Sequence, residues 1–263
     1  MATRIFSERF DYNVGTMPTG GSQGSPWSWQ RPLQNAQIVT APLDDGPGPA
    51  LGTKMFMGNW TSSDYNGIYM GYDNFDYTSE FFVRMWCRMD DDVDGLWGNK
   101  SFRFYNSDGE GLGLNSYYWV MDMEGVSGDT HDAHSVLEWV DDNIILDQAG
   151  GGSLTRAAWN KVEFYMKVAA SSGGILRAWV NDSLMHEADG WSGNPANPWP
   201  QINLMSNWST NNGPLDENNH VYWDGIDVYS DNEGGEATTG SMSDATIQAV
   251  VASSAGSSRL SLR

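Results

Sequence analysis

From residue 51 onward the chain runs in short stretches in which every second residue is apolar, separated by Gly, Pro, Asn, Asp and Ser. The alternating stretches fall at 51–58, 66–72, 80–89, 101–105, 116–124, 136–146, 159–168, 174–180, 184–187, 201–207 and 220–229, after an earlier one at 4–10. One-for-one alternation is the mark of strands that bury one face. Strands at this spacing, without helical periodicity, predict an all-β protein built as a two-sheet antiparallel sandwich. The stretch 136–146 also admits one short helical turn. Residues 15–49, rich in Gly, Pro and Ser and carrying Trp27 and Trp29, read as a long wrapping loop. Beyond Tyr229 the composition turns to linker chemistry, followed by a weakly apolar segment with Ile247, Val250 and Val251. The pattern therefore places the sandwich at 1–230 and a linker with an extended C-terminal arm at 231–263. Such an arm either stays disordered or docks on a neighbouring subunit, and Ile247, Val250 and Val251, which have no place in the sandwich, favour docking.

Alternation also assigns faces. In 80–89, Phe81, Val83, Met85, Cys87 and Met89 share the core face, leaving Phe82, Arg84, Trp86 and Arg88 on the other. In 159–168, Val162, Phe164, Met166 and Val168 go inward, with Lys161, Glu163, Tyr165 and Lys167 opposite. In 174–180, Leu176, Ala178 and Val180 go inward, and Arg177 and Trp179 outward. Two arginines flanking an indole suit an acidic sugar, the guanidinium groups holding the anion and the ring stacking on the pyranose. They equally suit pairing with carboxylates on neighbouring strands.

The segment Trp159-Asn-Lys-Val-Glu-Phe-Tyr-Met-Lys167, a Gly turn, and Ile175-Leu-Arg-Ala-Trp-Val-Asn-Asp182 form a hairpin pattern with an Asn-Asp turn after it. This pair resembles the W-x-x-V-E-x-Y-x-K … G-x-L-R-x-W-V-N/D-G/D strands of the concanavalin A-like jelly rolls. Those include legume lectins, laminin-G-like modules, family-16-type glucanases and several polysaccharide lyases. The resemblance implies a carbohydrate ligand and a sugar site on the concave sheet face. Arg84, Trp86, Arg88, Tyr118, Tyr165, Arg177 and Trp179 are the candidate carbohydrate-binding residues. It also implies a structural Ca²⁺ tying the first strand to the last, with Glu8, Asp11, Asp224 and Asp227 as candidate ligands. Hard oxygen donors of this kind suit calcium, although the same acids could pair with Arg4 and Arg9.

The catalytic patterns of these relatives are incomplete. Val120-Met-Asp-Met-Glu124 resembles the glucanase E-x-D-x-E motif with Val120 in the place of the nucleophile, which leaves a retaining mechanism without its attacking group. A lyase needs a cation to neutralise the substrate carboxylate and a Tyr or His to take a proton. Arg84, Arg88, Tyr118, His131 and His134 offer that chemistry, but Trp86 stands where the R-x-E-x-R motif of alginate lyases has Glu. The His131–His134 pair reads as a solvated loop or a transition-metal catch.

Composition narrows the partners. With 14 Lys+Arg against 34 Asp+Glu and a net charge of −20, the chain is a poor ligand for nucleic acid. Thirteen Trp and eleven Tyr exceed what a core of this size requires and fit stacking on sugar rings. Cys87 is the single cysteine and has no intrachain disulfide partner. No apolar stretch approaches the roughly eighteen residues of a membrane span, and residues 1–10 lack a classical signal's apolar core. These features predict a non-catalytic, lectin-like surface protein that binds a polysaccharide or cell-surface glycan. A phage capsid or tail is its setting, with 231–263 meeting virion partners and lysis releasing it outside the cell. A polysaccharide lyase acting on an acidic glycan and a purely structural virion sandwich are the alternatives.

Overall fold

A computed structural model describes residues 3–16, 22–27, 29–31, 36–43, 46–59, 69–72, 80–90, 99–105, 114–122, 130–139, 144–148, 153–155, 157–167, 169, 171–191, 201–204 and 220–230. The linker and arm at 231–263 lie outside them. The described residues form the strands β1 (Thr3–Glu8), β2 (Trp29–Arg31), β3 (Ala36–Val39), β4 (Met55–Asn59), β5 (Tyr69–Tyr72), β6 (Glu80–Met89), β7 (Asn99–Tyr105) and β8 (Leu114–Asp122), followed by β9 (Thr130–Trp139), β10 (Ile144–Gln148), β11 (Ser153–Thr155), β12 (Asn160–Lys167), β13 (Gly174–Val180), β14 (Ser183–Trp191), β15 (Gln201–Leu204) and β16 (His220–Ser230). No helix among the described residues is long and apolar enough to cross a membrane.

The strands make two antiparallel sheets. The first runs β14-β13-β12-β6-β16-β4-β3, and the second β10-β9-β8-β7-β15-β5-β2, with β11 added to β9. Last strand β16 lies against β6 along one edge; on its other edge β4 pairs with residues 220–223 and β1 with 226–230. The chain ends of the sandwich therefore meet in the first sheet. The hairpin read from sequence is β12–β13, which pair antiparallel from Val162 opposite Val180 to Lys167 opposite Ile175; the Asn181-Asp182 turn after it leads into β14 and has positive φ at both positions (49° and 69°), as a type I′ turn requires.

Two expectations change. The stretch read as 136–146 is not one strand: 136–139 belong to β9 and 144–146 to β10, which pair with each other, and 140–143, where the helical turn was admitted, lie outside the described residues. His131 and His134 accordingly sit in a strand. The wrapping segment also holds regular structure, because β2 joins the edge of the second sheet and β3 that of the first. Short edge strands of three or four residues leave too few alternations for a period-2 signal to emerge from a Gly/Pro-rich background.

The core face of the first sheet is the one alternation assigned: Val83, Met85, Cys87, Met89, Val162, Phe164, Met166, Leu176 and Ala178 are all 0% exposed. Each Val, Leu, Phe or Met among them contributes roughly 1.5–3 kcal/mol by leaving water. Burial also pushes the Cys87 thiol up to about 12, so it stays protonated and inert. In the second sheet the register aligns Tyr72, Ile202, Phe104, Tyr117 and Leu137 in one row, and Met70, Leu204, Phe102 and Trp119 two residues along. These apolar rows share one face of that sheet, the face the pattern assigns to the core.

Candidate functional site

The first sheet brings most of the expected sugar site together. In register, Arg84 stands opposite Glu163 on β12 and Asp227 on β16, Tyr165 between Phe82 and Arg177, and Trp179 opposite Glu163. Arg84, Trp86, Arg88, Tyr165, Arg177 and Trp179 therefore occupy one face. Tyr118 does not belong with them, since β8 is in the other sheet.

That face is sealed. Arg88, Tyr165 and Trp179 are 0–2% exposed, Arg84 and Arg177 are 6% and 8%, and Trp86 is half-buried. Each guanidinium meets a carboxylate. Arg84 holds Glu163 Oε1 through Nε at 2.6 Å and Nη2 at 2.5 Å. Arg177 reaches both oxygens of Asp189 at 2.6 and 3.0 Å and Glu187 at 2.8 Å. Arg88 lies 3.4 Å from Asp90 and 5.2 Å over the Tyr222 ring. The Asp189 hydrogen bond holds Arg177 above its ordinary value and Asp189 below its own. Tyr165 donates to Glu80 at 2.6 Å, and burial with that bond pushes its phenol up, which makes it a poor base.

Part of the seal comes from residues 40–43 and 46–54, which lie on the outer side of β16. Leu43 N–H donates to Tyr222 Oη at 3.0 Å, Trp159 Nε1 to the Gly48 carbonyl at 2.6 Å, and Leu51 N–H to Asp224 Oδ2 at 2.5 Å. Met55, Met57 and Tyr222 pack beneath it with Val39 and Trp159.

The four acids expected to hold calcium do not converge. A bulge in β16 at the positive-φ Gly225 (58°) puts Asp224 opposite Trp86 and Asp227 opposite Arg84, three residues apart yet on one face. Glu8, paired in register with Ile226, falls on the other face. Its carboxylate accepts from Arg9 N–H (2.7 Å), Phe10 N–H (2.6 Å), Tyr12 Oη (2.6 Å) and Trp27 Nε1 (2.5 Å), which uses its acceptor sites. Asp227 is taken by Arg9 at 2.6 Å and Arg4 at 3.8 Å. As a set of four these residues do not fit one cation, and among the described residues no group of three or more His, Cys, Asp or Glu is arranged to hold a metal. Asp224 differs from the rest. It is 0% exposed, its Oδ1 has no hydrogen-bond partner, and burial pushes it up to about 7, with the neighbouring Asp11 adding to the shift.

The lyase set is divided too, with Arg84 and Arg88 in the first sheet and Tyr118, His131 and His134 in the second. Glu124 lies outside the described residues. The second sheet supplies different companions. On the opposite face the register runs Trp29, Gly71, Asn203, Arg103, Tyr118, Val136 and Asp147, with Lys100, Val120 and His134 in the next row and Asp122 opposite Asp132 beyond it. Arg103 and Lys100 share the face because a bulge at β7 lets residues three apart stand opposite Tyr118 and Val120. Plain alternation groups Lys100 with Phe102 and Phe104, which is why neither cation stood out in the sequence.

This architecture recurs among solved structures. An endo-β-1,4-glucuronan lyase from the fungus Trichoderma reesei superposes with a TM-score of 0.62 at 14% identity, over 87% of this chain and 96% of that one. The fold is that of the concanavalin A-like jelly rolls. An alginate lyase gives a TM-score of 0.58 at 15% identity over 88% of this chain and 97% of its own, and a mutant form of it is described in complex with alginate tetrasaccharide. A cellulose-induced protein gives 0.53 at 16% identity, over 86% and 97%. No family model matches the sequence, and no curated protein does. At such identities the likeness is one of fold.

Proposed function

We propose that this chain recognises a polysaccharide on the outer face of its second sheet. The observation that carries the proposal is the contrast between the two sheets. The outer face of the first is closed by ion pairs and by residues 40–43 and 46–54, whereas that of the second aligns Trp29, Asn203, Arg103 and Tyr118 in one row. Aromatic rings to stack on a pyranose beside groups that hydrogen-bond its substituents are what a saccharide site needs. Proteins of the same fold act on glucuronan and alginate, which supports a glycan as the ligand. Binding to a panel of immobilised polysaccharides that disappears in Tyr118→Ala, with Arg84→Lys binding normally, is the expected result. Binding lost in Arg84→Lys and retained in Tyr118→Ala would refute it.

A lyase is the second reading, favoured by one observation: Tyr118 stands opposite Arg103, with His134 in the neighbouring row of the same face. A phenol or imidazole near a cation is the pairing that abstracts a proton beside a neutralised carboxylate. Growth of ultraviolet absorbance from an unsaturated product selects this reading over pure recognition. A virion surface remains the proposed setting; loss of particle assembly on deleting 231–263, with glycan binding intact, supports it. Calcium remains a proposal for Asp224 with Asp11 alone, and a calcium-dependent rise in Tm that Asp224→Asn abolishes is the result that would support it.

A further inference from the structure

Where the first strand meets the last, in the first sheet, three polar side chains stand together that the glycan face does not use. Arg4 is opposite Tyr229 in register, and Asp227 precedes Tyr229 by two residues on β16, so the three share one face. Tyr229 is 0% exposed, and its Oη has no hydrogen-bond partner. Burial, with Asp227 beside it, pushes the phenol up to about 12, so the hydroxyl is a donor without an acceptor. Asp227 presents the converse. Its Oδ2 accepts from Arg9 Nη2 at 2.6 Å, whereas its buried Oδ1 accepts no hydrogen bond. Arg4 Nη1 stands 3.8 Å from that Oδ1, too far for a hydrogen bond, and pairs with no other carboxylate among the described residues. The charges acting on the Tyr229 hydroxyl are one carboxylate, Asp227, and three guanidinium groups, those of Arg4, Arg84 and Arg9. Arg84 is answered by Glu163, and Arg9 by Asp227 with Asp224 behind it. Arg4 is left with the loose contact alone. The chain has 34 Asp and Glu for 14 Lys and Arg, so this is not for want of acids.

We propose that Arg4, Tyr229 and Asp227 form a second ligand site, separate from the glycan face, that takes a small oxyanion carrying its own hydroxyl: hydrogen phosphate or a hydroxy-carboxylate. Each part of such a ligand has one place to go. Its charged oxygens accept from the Arg4 guanidinium, whose N–H groups form a fork suited to them, and from the Tyr229 hydroxyl. Its own hydroxyl donates to Asp227 Oδ1. An anion without a hydroxyl, such as sulfate or acetate, sets a second negative oxygen against that carboxylate with no proton between them, which repels. An ordered water bridges the tyrosine hydroxyl and the Asp227 oxygen equally well, yet brings no charge to Arg4. Entry is by way of Arg4, whose side chain is 29% exposed, while Asp227 at 5% and Tyr229 at 0% lie behind it.

The test is isothermal titration of the full chain at neutral pH with phosphate, sulfate, glycolate and acetate at equal ionic strength. Phosphate is expected to bind about tenfold tighter than sulfate, or glycolate about tenfold tighter than acetate, the difference made by one hydrogen bond to a charged group. The pair that shows the gap identifies the anion as phosphate or carboxylate. Arg4→Gln is expected to abolish saturable binding, and Tyr229→Phe to weaken it about tenfold while keeping the parent Tm in ligand-free buffer, because it removes a buried donor that has no partner. Arg4 is partly exposed, so its variant keeps the fold and reports on the site even where Tyr229→Phe does not. Sulfate and acetate bound as tightly as phosphate and glycolate, binding unchanged in Arg4→Gln, or no saturable binding of any of the four, as an ordered water alone would give, overturns the site. None of these results bears on glycan recognition by the second sheet.

Discussion

Replacing Arg84 by Ala separates a structural role for the first sheet's outer face from a ligand-binding one. Glu163 is 0% exposed, and its Oε1 receives two N–H donors from Arg84 at 2.6 and 2.5 Å. Removing the guanidinium leaves a buried carboxylate with Lys161 at 3.7 Å as a weaker counter-ion. Breaking one member of a buried pair costs about 3–5 kcal/mol, and the remaining lysine puts this case near the lower end. For a domain of this size each kcal/mol lowers Tm by about 2–4 °C, so a fall of roughly 6–12 °C is expected by circular dichroism melting. The paired replacement Arg84→Met with Glu163→Leu removes both charges and is expected to recover most of the loss, since apolar residues replace a buried ion pair at little or no cost. Glycan binding by the folded double variant should equal that of the parent. An Arg84→Ala protein with unchanged Tm and abolished glycan binding would refute the reasoning.

Gly225→Ala places a side chain at φ 58° and runs its Cβ into Leu51 Cδ1, so it is expected to lower stability by about 1–2 kcal/mol, read from the urea midpoint. Glu8→Gln sets an amide N–H₂ among donors that now meet a carboxylate, from Tyr12, Trp27 and two backbone N–H groups, and should cost about 1–3 kcal/mol in the same assay. Asp224 is pushed up to about 7 and Glu8 is also raised, both by burial, so in chelator the folded state holds protons that the unfolded chain releases. The contribution of Asp224 is full below about pH 4 and is lost as pH rises toward 7; Tm should fall across that window, and Asp224→Asn should flatten the slope. A Tm that rises from pH 4 to 7 would contradict this assignment.

Much of the architecture was legible because long strands carry a long alternation. On β6, β12 and β13, residues such as Val83, Phe164 and Leu176 alternate with Arg84, Glu163 and Arg177, and the sheet adopts that division. What alternation cannot convey is whether the polar face is wet. A charged residue reads as outward whether it meets solvent or a partner, and Arg84 and Arg88 are buried because Glu163 and Asp90 answer their charge. Bulges hid the rest. A single extra residue reverses the phase of every position beyond it, so Asp224 and Asp227, like Lys100 and Arg103, share a face that sequence spacing denies them. Strand order, which alternation does not reveal, separates Tyr118 from the arginines it was grouped with.

Hydrogen–deuterium exchange of the full chain with and without a bound oligosaccharide tests the central claim most directly. The account predicts added protection in 99–105, 114–122 and 201–204, the strands that carry Arg103, Tyr118 and Asn203, with 80–90 and 160–167 unchanged. Protection confined to 80–90 and 160–167 would show that the ligand opens the sealed face, and would contradict it.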